Sequence, residues 1–372
     1  MKKLGFGLMR LPQLDADNYG SVDVERVKKM ADLFMEHGFT YFDTAAPYHQ
    51  GNSEVAFREA VVKRYPRSSY TITDKLSLFM IRDEKEIPGF FEEQLERLGL
   101  DYIDYYWLHG LGEPAYRQAE EMHAFEFVQE KKKEGKVKHI GLSFHDKAEL
   151  LDEILTKHPE MEYVQIQLNY LDWEDATVES RKCYDVATKH RKPVIVMEPV
   201  KGGSLVNIPE EAAKLYQDYN PEYSLASWAI RFAATPKNVM MVLSGMSDEA
   251  QMEDNISYMK EFEPLNDEEQ KLVEQATKII KDSIAIPCTA CRYCVDDCPE
   301  NIAIPDCFAI YNNLKRFGAE QGLVAETYYG NLTQTHGKAS ECFKCGKCEN
   351  RCPQHLPIRK YLEDVAGALE HA

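Results

Sequence analysis

Eight short apolar, β-rich runs punctuate the chain: Leu4–Met9, Thr40–Thr44, Tyr70–Leu76, Tyr102–His109, Val137–Phe144, Tyr163–Tyr170, Pro193–Val200 and Val239–Met246. Most of the intervening stretches have helical spacing. In residues 24–37, Val27, Met30, Leu33 and Phe34 form one apolar stripe, and Gly38 follows as a left-handed cap. Strands that alternate with amphipathic helices predict a parallel sheet, because each crossover returns the chain to the same end. Runs such as Pro193-Val-Ile-Val-Met197 are apolar throughout, as strands covered on both faces require. Eight such units favour closure into a (β/α)8 barrel of about 250 residues. A charged periodic stretch at 266–282 reads as an extra helix packed across the barrel, and Pro287 marks a boundary. The expected fold class is therefore α/β, a TIM barrel over residues 1–283 followed by a small, mainly helical domain over residues 284–372.

Composition narrows the picture. A chain with 44% hydrophobic and 28% charged residues is ordinary for a globular protein, and no run reaches the roughly 18 uninterrupted apolar residues of a membrane span. Lys2 and Lys3 precede an apolar stretch that Arg10 interrupts, so no secretion signal is expected, and the thiols should stay reduced in the cytoplasm. The net charge of −18 argues against a nucleic-acid or anionic-membrane partner, since phosphate binding needs concentrated Lys and Arg. From residue 284 onward the charges nearly balance, which leaves that surface freer to meet an acidic electron carrier.

Nine of the ten cysteines fall in the last quarter of the chain, and eight of these sit at ligand-like spacing. They form two copies of one run: Cys288-x2-Cys291-x2-Cys294-x3-Cys298-Pro299 and Cys342-x2-Cys345-x2-Cys348-x3-Cys352-Pro353. This spacing signals paired [4Fe–4S] clusters in which the fourth cysteine of each run serves the other cluster. Cys288, Cys291, Cys294 and Cys352 should hold one cluster, and Cys342, Cys345, Cys348 and Cys298 the other. Zinc is the alternative for closely spaced thiolates, but a run of three suits a cluster face better than a tetrahedral knuckle. Residues 308–317 read as helical between the two runs, so the module resembles a helical two-cluster ferredoxin. Cys183 and Cys307 remain, each explicable as a small buried hydrophobe.

Barrels of this kind carry their chemistry at the C-terminal ends of the strands. Asp43 ends the second strand, Tyr48 follows it, Lys75 ends the third, and His109 ends the fourth. A phenol with a pKa near 10 releases its proton poorly unless an ammonium stabilises the phenolate, which Lys75 would supply and Asp43 would orient. A neutral His109 could donate to a carbonyl oxygen that gains charge as hydride arrives.

Phe42-Asp-Thr-Ala-Ala-Pro-Tyr48, Thr73-Asp-Lys75 and Trp107-Leu-His109 resemble the aldo-keto reductase family, in a match that runs to about residue 265. The resemblance implies Tyr48 as proton donor, Lys75 as its pKa-lowering neighbour, Asp43 as the partner of Lys75, and His109 as polariser of the substrate carbonyl. It also places Ser143, Gln165 and Asn169 against a nicotinamide carboxamide. Glu198 stands where an aromatic ring usually stacks on the nicotinamide, and Phe144 where many members have Asn. Ser244, Gly245, Gln251 and Asn255 fall in the adenosine-phosphate region, where Gly245 and Gln251 replace the basic pair that grips a 2′-phosphate. Weakened preference for NADPH is expected, since bidentate phosphate recognition wants Arg.

Hydride carries electrons in pairs and a cluster passes them singly, so the combination poses a specific problem. The first reading is an oxidoreductase that interconverts a small carbonyl and alcohol with NAD(P)(H), its clusters linking it to a one-electron partner such as a ferredoxin-like carrier. The alternatives are a flavin in the barrel mouth, or a redox-sensing partner subunit whose clusters are structural.

Overall fold

The computed structural model describes residues 2–175, 178–317 and 322–370. Eight strands close a barrel in sequence order: β1 Leu4–Gly7, β2 Tyr41–Asp43, β3 Thr71–Leu76, β4 Ile103–Leu111, β5 Val137–Phe144, β6 Tyr163–Gln167, β7 Val194–Met197 and β8 Val239–Ser244. Every neighbouring pair is parallel, and β1 closes on β8 with Gly5 opposite Leu243. Several strands stop earlier than the apolar runs suggest. Leu8–Arg10 already turns as a 3-10 segment, and Leu168 to Tyr170 belong to the loop after β6. β4 instead continues past His109 to Leu111, through a register shift between Leu108 and Leu111.

Strand parity sorts the side chains. Phe42, Ile72, Tyr106, Leu142, Val164 and Val196 face the helices within one large buried core. Tyr41, Tyr105, Trp107, Ile195, Met241 and Leu243 fill the barrel interior. Gly141 makes room for them, because a Cβ there would lie 2.4 Å from Tyr163 O and 2.6 Å from the Trp107 ring. Phe144 lies on the helix-facing side and belongs to the outer core.

The helix over residues 24–37 ends at Glu36, with Asp23 accepting from Arg26 N at its start and Gly38 at φ +76 beyond its end. The later charged helix spans Asp267–Ser283 and buries Val273, Ala276 and Ile280. The chain divides into two compact units. The first comprises Met1–Asp175, Glu179–Val200 and Tyr223–Gln270; the second gathers Lys201–Glu222 and Lys271–Ala372. The division thus falls inside the charged helix rather than after it, and the loop leaving β7 groups with the C-terminal segment. In the second unit the helix expected at 308–317 begins earlier, spanning Ile304–Phe317, and Ile358–Leu369 packs against it through Phe308, Leu362 and Val365. No helix among the described residues is long and apolar enough to cross a membrane.

Candidate active site and cysteine sites

Strand parity brings Asp43, Lys75 and His109 to the inner face at the C-terminal end of the barrel. Lys75 Nζ donates to Asp43 Oδ1 at 2.6 Å and to Thr44 O at 2.7 Å, and both side chains are almost fully buried. Its backbone is fixed as well, N–H to Asp74 Oδ1 at 2.8 Å and C=O from Gln94 Nε2 at 3.0 Å. The ammonium lies 5.0 Å from the centre of the Tyr48 ring, a cation–π distance. Tyr48 and His109 meet edge to face with ring centres 6.0 Å apart. The four residues therefore converge.

Tyr48 opens a tight turn that continues through His49, Gln50 and Gly51, all at positive φ. Such backbone costs energy for non-glycine residues and persists only where neighbours over-determine it. His49 does so: Nε2 accepts from Leu11 N at 3.1 Å, which leaves Nδ1 to donate to Tyr19 O at 2.7 Å.

The electrostatics depart from expectation at one point. Burial pushes the Tyr48 phenol well above its ordinary value, and Asp43, Tyr19, Asp74 and Glu198 add to the push. The Lys75 ammonium donates to Asp43 and Thr44, the expected lowering does not appear, and Tyr48 keeps its proton. Burial and the Lys75 charge hold His109 well below 6.5, so it is neutral. Burial also raises Asp43, against the pull of Lys75. Ser77 Oγ lies 2.6 Å from His109 Nδ1, a contact the sequence reading missed.

The cofactor candidates divide. Ser143 and Gln165 are register partners on β5 and β6, both buried. Among the described residues Gln165 Oε1 has no hydrogen-bond partner, and Ser143 Oγ lies 4.0 Å from Met197 Sδ. Asn169 differs. Its Nδ2 donates to Asp172 Oδ2 at 2.6 Å and Glu198 O at 3.1 Å, and its Oδ1 accepts from Leu171 N and Asp172 N. That exhausts its capacity, so Asn169 fixes the loop and holds Glu198 at φ +57 instead of presenting its amide to a ligand. Near β8, Asn255 Nδ2 donates to Ser244 Oγ at 2.7 Å, while Gln251 Oε1 accepts from Ser247 N at 3.0 Å. Both Gln251 contacts to Asp248 close the same helix start. Arg10, which the sequence reading did not select, lies across Gly245, with its Cδ 3.3 Å from where a Cβ would stand.

In the second unit Cys288, Cys291, Cys294 and Cys352 surround one hollow, together with Thr289, Arg292, Phe308 and Gln354. The buried Thr289 Oγ1 has no partner there. Burial raises Cys288 to about 11 and lifts Cys294 and Cys352 too. Cys342 and Cys345 both lie close enough to Cys348 to push its thiol up. Cys298 accepts from Ile302 N at 3.4 Å and influences Cys307, so its place in the second set rests on spacing. Among the described residues no disulfide joins any of the cysteines, and no three His, Cys, Asp or Glu side chains are placed to share a single ion.

The architecture is that of a (β/α)8 barrel protein with a cysteine-rich C-terminal module. Residues 3–278 match the family model of the aldo/keto reductases, so the chain belongs to that oxidoreductase family; residues 287–356 match the 4Fe-4S dicluster domain. An aldo-keto reductase of Mycobacterium avium (strain 104) is 26% identical over 198 residues, 53% of this chain and 65% of that protein. The NADH-specific methylglyoxal reductase of Escherichia coli (strain K12) is 31% identical over 154 residues, 36% of this chain and 45% of that protein. The chain thus spans less than two thirds of either relative. Two solved structures share the fold. A Bacillus halodurans aldo-keto reductase in its holo form has a TM-score of 0.60 at 24% identity, covering 74% of this chain and 91% of that one. A Klebsiella pneumoniae aldo/keto reductase in complex with NADP and acetate has a TM-score of 0.60 at 17% identity, covering 73% and 90%.

Proposed function

We propose that the barrel interconverts a small carbonyl compound and its alcohol with NAD(P)(H), and that the cysteine module holds two [4Fe–4S] clusters exchanging single electrons with a ferredoxin-like carrier in a reducing, cytoplasmic setting. The observation that carries the barrel reading is the Lys75–Asp43 pair at 2.6 Å beneath Tyr48 and His109. A bound nicotinamide supplies or takes the hydride. Gln165, with its orphaned Oε1, would accept from the carboxamide NH2, and Ser143 would donate to the carboxamide oxygen. The phenol of Tyr48 gives its proton to the carbonyl oxygen, and neutral His109 donates a hydrogen bond to that oxygen as it gains charge. Lys75 sits against the Tyr48 ring and Asp43 fixes the lysine, so the pair holds the donor in place.

The adenosine end favours NADP(H) through Arg10, whose side-chain stem crosses Gly245 and whose charge would serve in place of the missing basic pair. That one cation makes the preference modest. In the module, Cys288, Cys291, Cys294 and Cys352 would hold one cluster and Cys342, Cys345, Cys348 and Cys298 the other. The orphaned Thr289 hydroxyl suits a neighbour rich in acceptor sulfur.

The test is anaerobically reconstituted full-length protein. About eight irons per chain and reduction of a small aldehyde by NADPH, abolished in Tyr48→Phe, support the reading. Roughly four irons or fewer, or turnover that survives Tyr48→Phe, overturns the part concerned, and release of a flavin replaces the nicotinamide reading.

A further inference from the structure

The loop leaving β7 delivers a buried cation to the cysteine module. Lys201 comes after Glu198-Pro-Val200 in the loop beyond β7, takes the left-handed region at φ +50, and is succeeded by Gly202 and Gly203 at φ +64 and +96. Its side chain is almost wholly buried, and Nζ donates to Gln354 Oε1 at 3.1 Å. Gln354 lies two residues beyond Cys352, and both line the hollow that Cys288, Cys291 and Cys294 complete. A left-handed backbone at a lysine is unfavourable and needs compensation. The geometry accounts for it by placing the ammonium behind one wall of this hollow.

We propose that Lys201 is a potential-setting residue for the cluster held by Cys288, Cys291, Cys294 and Cys352, its charge making that cluster easier to reduce. The inference rests on the two-cluster reading above. One-electron reduction adds one negative charge to a cluster without making or breaking a bond, and a nearby positive charge stabilises the reduced form. A charge in a dry interior acts more strongly than one in water. Arg292 also lines the hollow, but it is exposed and paired with Asp306 at 2.9 Å, so solvent and a carboxylate screen it. The cysteines register the cation: burial pushes Cys288 and Cys352 up, and in both the Lys201 charge acts in the opposite direction.

The test is a dithionite titration of the reconstituted full-length protein with redox mediators, followed by electron paramagnetic resonance. In Lys201→Gln one of the two clusters should become harder to reduce while the other keeps its potential, and Lys201→Arg should restore the first towards wild type. Gln354→Glu keeps the lysine but sets a carboxylate against it, and should lower the same potential even if Lys201→Gln fails to retain iron. Unchanged potentials in iron-replete variants, or equal shifts of both clusters, overturn the proposal. Loss of iron from both Lys201→Gln and Gln354→Glu also overturns it, because the pair would then be a structural clamp. Wild-type protein without two reducible clusters would refute the two-cluster reading itself, an outcome distinct from two clusters whose potentials ignore Lys201.

Discussion

Ser77 Oγ lies 2.6 Å from His109 Nδ1, joining the end of β3 to the end of β4 behind the imidazole. A neutral imidazole carries one N–H, so whichever role Nδ1 takes decides what Nε2 can do. If Ser77 donates to Nδ1, the proton sits on Nε2 and can meet a carbonyl oxygen. Ser77→Ala should therefore lower kcat for aldehyde reduction about tenfold, roughly 1.4 kcal/mol of transition-state stabilisation, with little change in thermal stability. Ser77→Thr should retain most activity. Steady-state kinetics of the two variants check this, and wild-type kcat in Ser77→Ala would count against the tautomer argument.

The same histidine gives stability a pH dependence of known sign. Its folded value lies well below 6.5, so an unfolded chain binds a proton that the folded imidazole refuses. Stability from this group is fully present above about pH 6.5 and is lost as pH falls towards the folded-state value. His109→Asn should flatten the acid side of a plot of melting temperature against pH, most visibly between about pH 5 and 6.5, relative to wild type. Identical slopes for the two proteins would contradict it.

Tyr48 keeps its proton far into the alkaline range, since burial and nearby carboxylates hold the phenol well above 10. Reduction kinetics of wild type should therefore show no alkaline limb from Tyr48 below about pH 10. Tyr48→Phe should cost roughly 100-fold to 10,000-fold in kcat while leaving the fold intact, as circular dichroism would verify.

Lys75 and Asp43 stabilise each other inside the barrel, where a lone charge is costly. Removing the lysine alone in Lys75→Met strands a buried carboxylate and should cost about 3–5 kcal/mol in denaturant unfolding. Combining it with Asp43→Asn should recover much of that loss without recovering activity. Equal stability of the single and double variants would show that the pair is not the dominant interaction.

What the sequence made legible follows from which contacts are local. Asp43, Lys75 and His109 could be placed because a strand of period two in a closed parallel barrel fixes both face and end. The cysteine runs were legible because ligand spacing within a run is a local property. Ser77, by contrast, sits two residues beyond Lys75 with nothing to mark it until β3 and β4 are side by side. Asn169 carried the family pattern, yet its four hydrogen bonds depend on how the β6 loop folds back on Glu198. The face that Phe144 takes is likewise known only once β5 is in register with β6. Lys201 sits in a loop whose partner is 153 residues away in sequence, a separation no local pattern reveals.

Arg10 and Gly245 illustrate how a missing side chain can be replaced from another strand. β1 ends at Gly7, and the following turn carries Arg10 over the bare Cα of Gly245, with Cβ, Cγ and Cδ within 3.3–3.5 Å of the vacant Cβ position. A larger residue at 245 would displace this side chain, so the glycine and the arginine act as one unit. NADPH differs from NADH by a 2′-phosphate, and a single cation at that group is worth about one to two charge-assisted hydrogen bonds. Arg10→Gln should weaken NADPH binding about tenfold and NADH binding much less, while Gly245→Val should act in the same direction by moving Arg10. Fluorescence titration of each variant with both nucleotides checks this. Equal weakening of both would place Arg10 at the pyrophosphate they share, and no change in either would remove it from the nucleotide site.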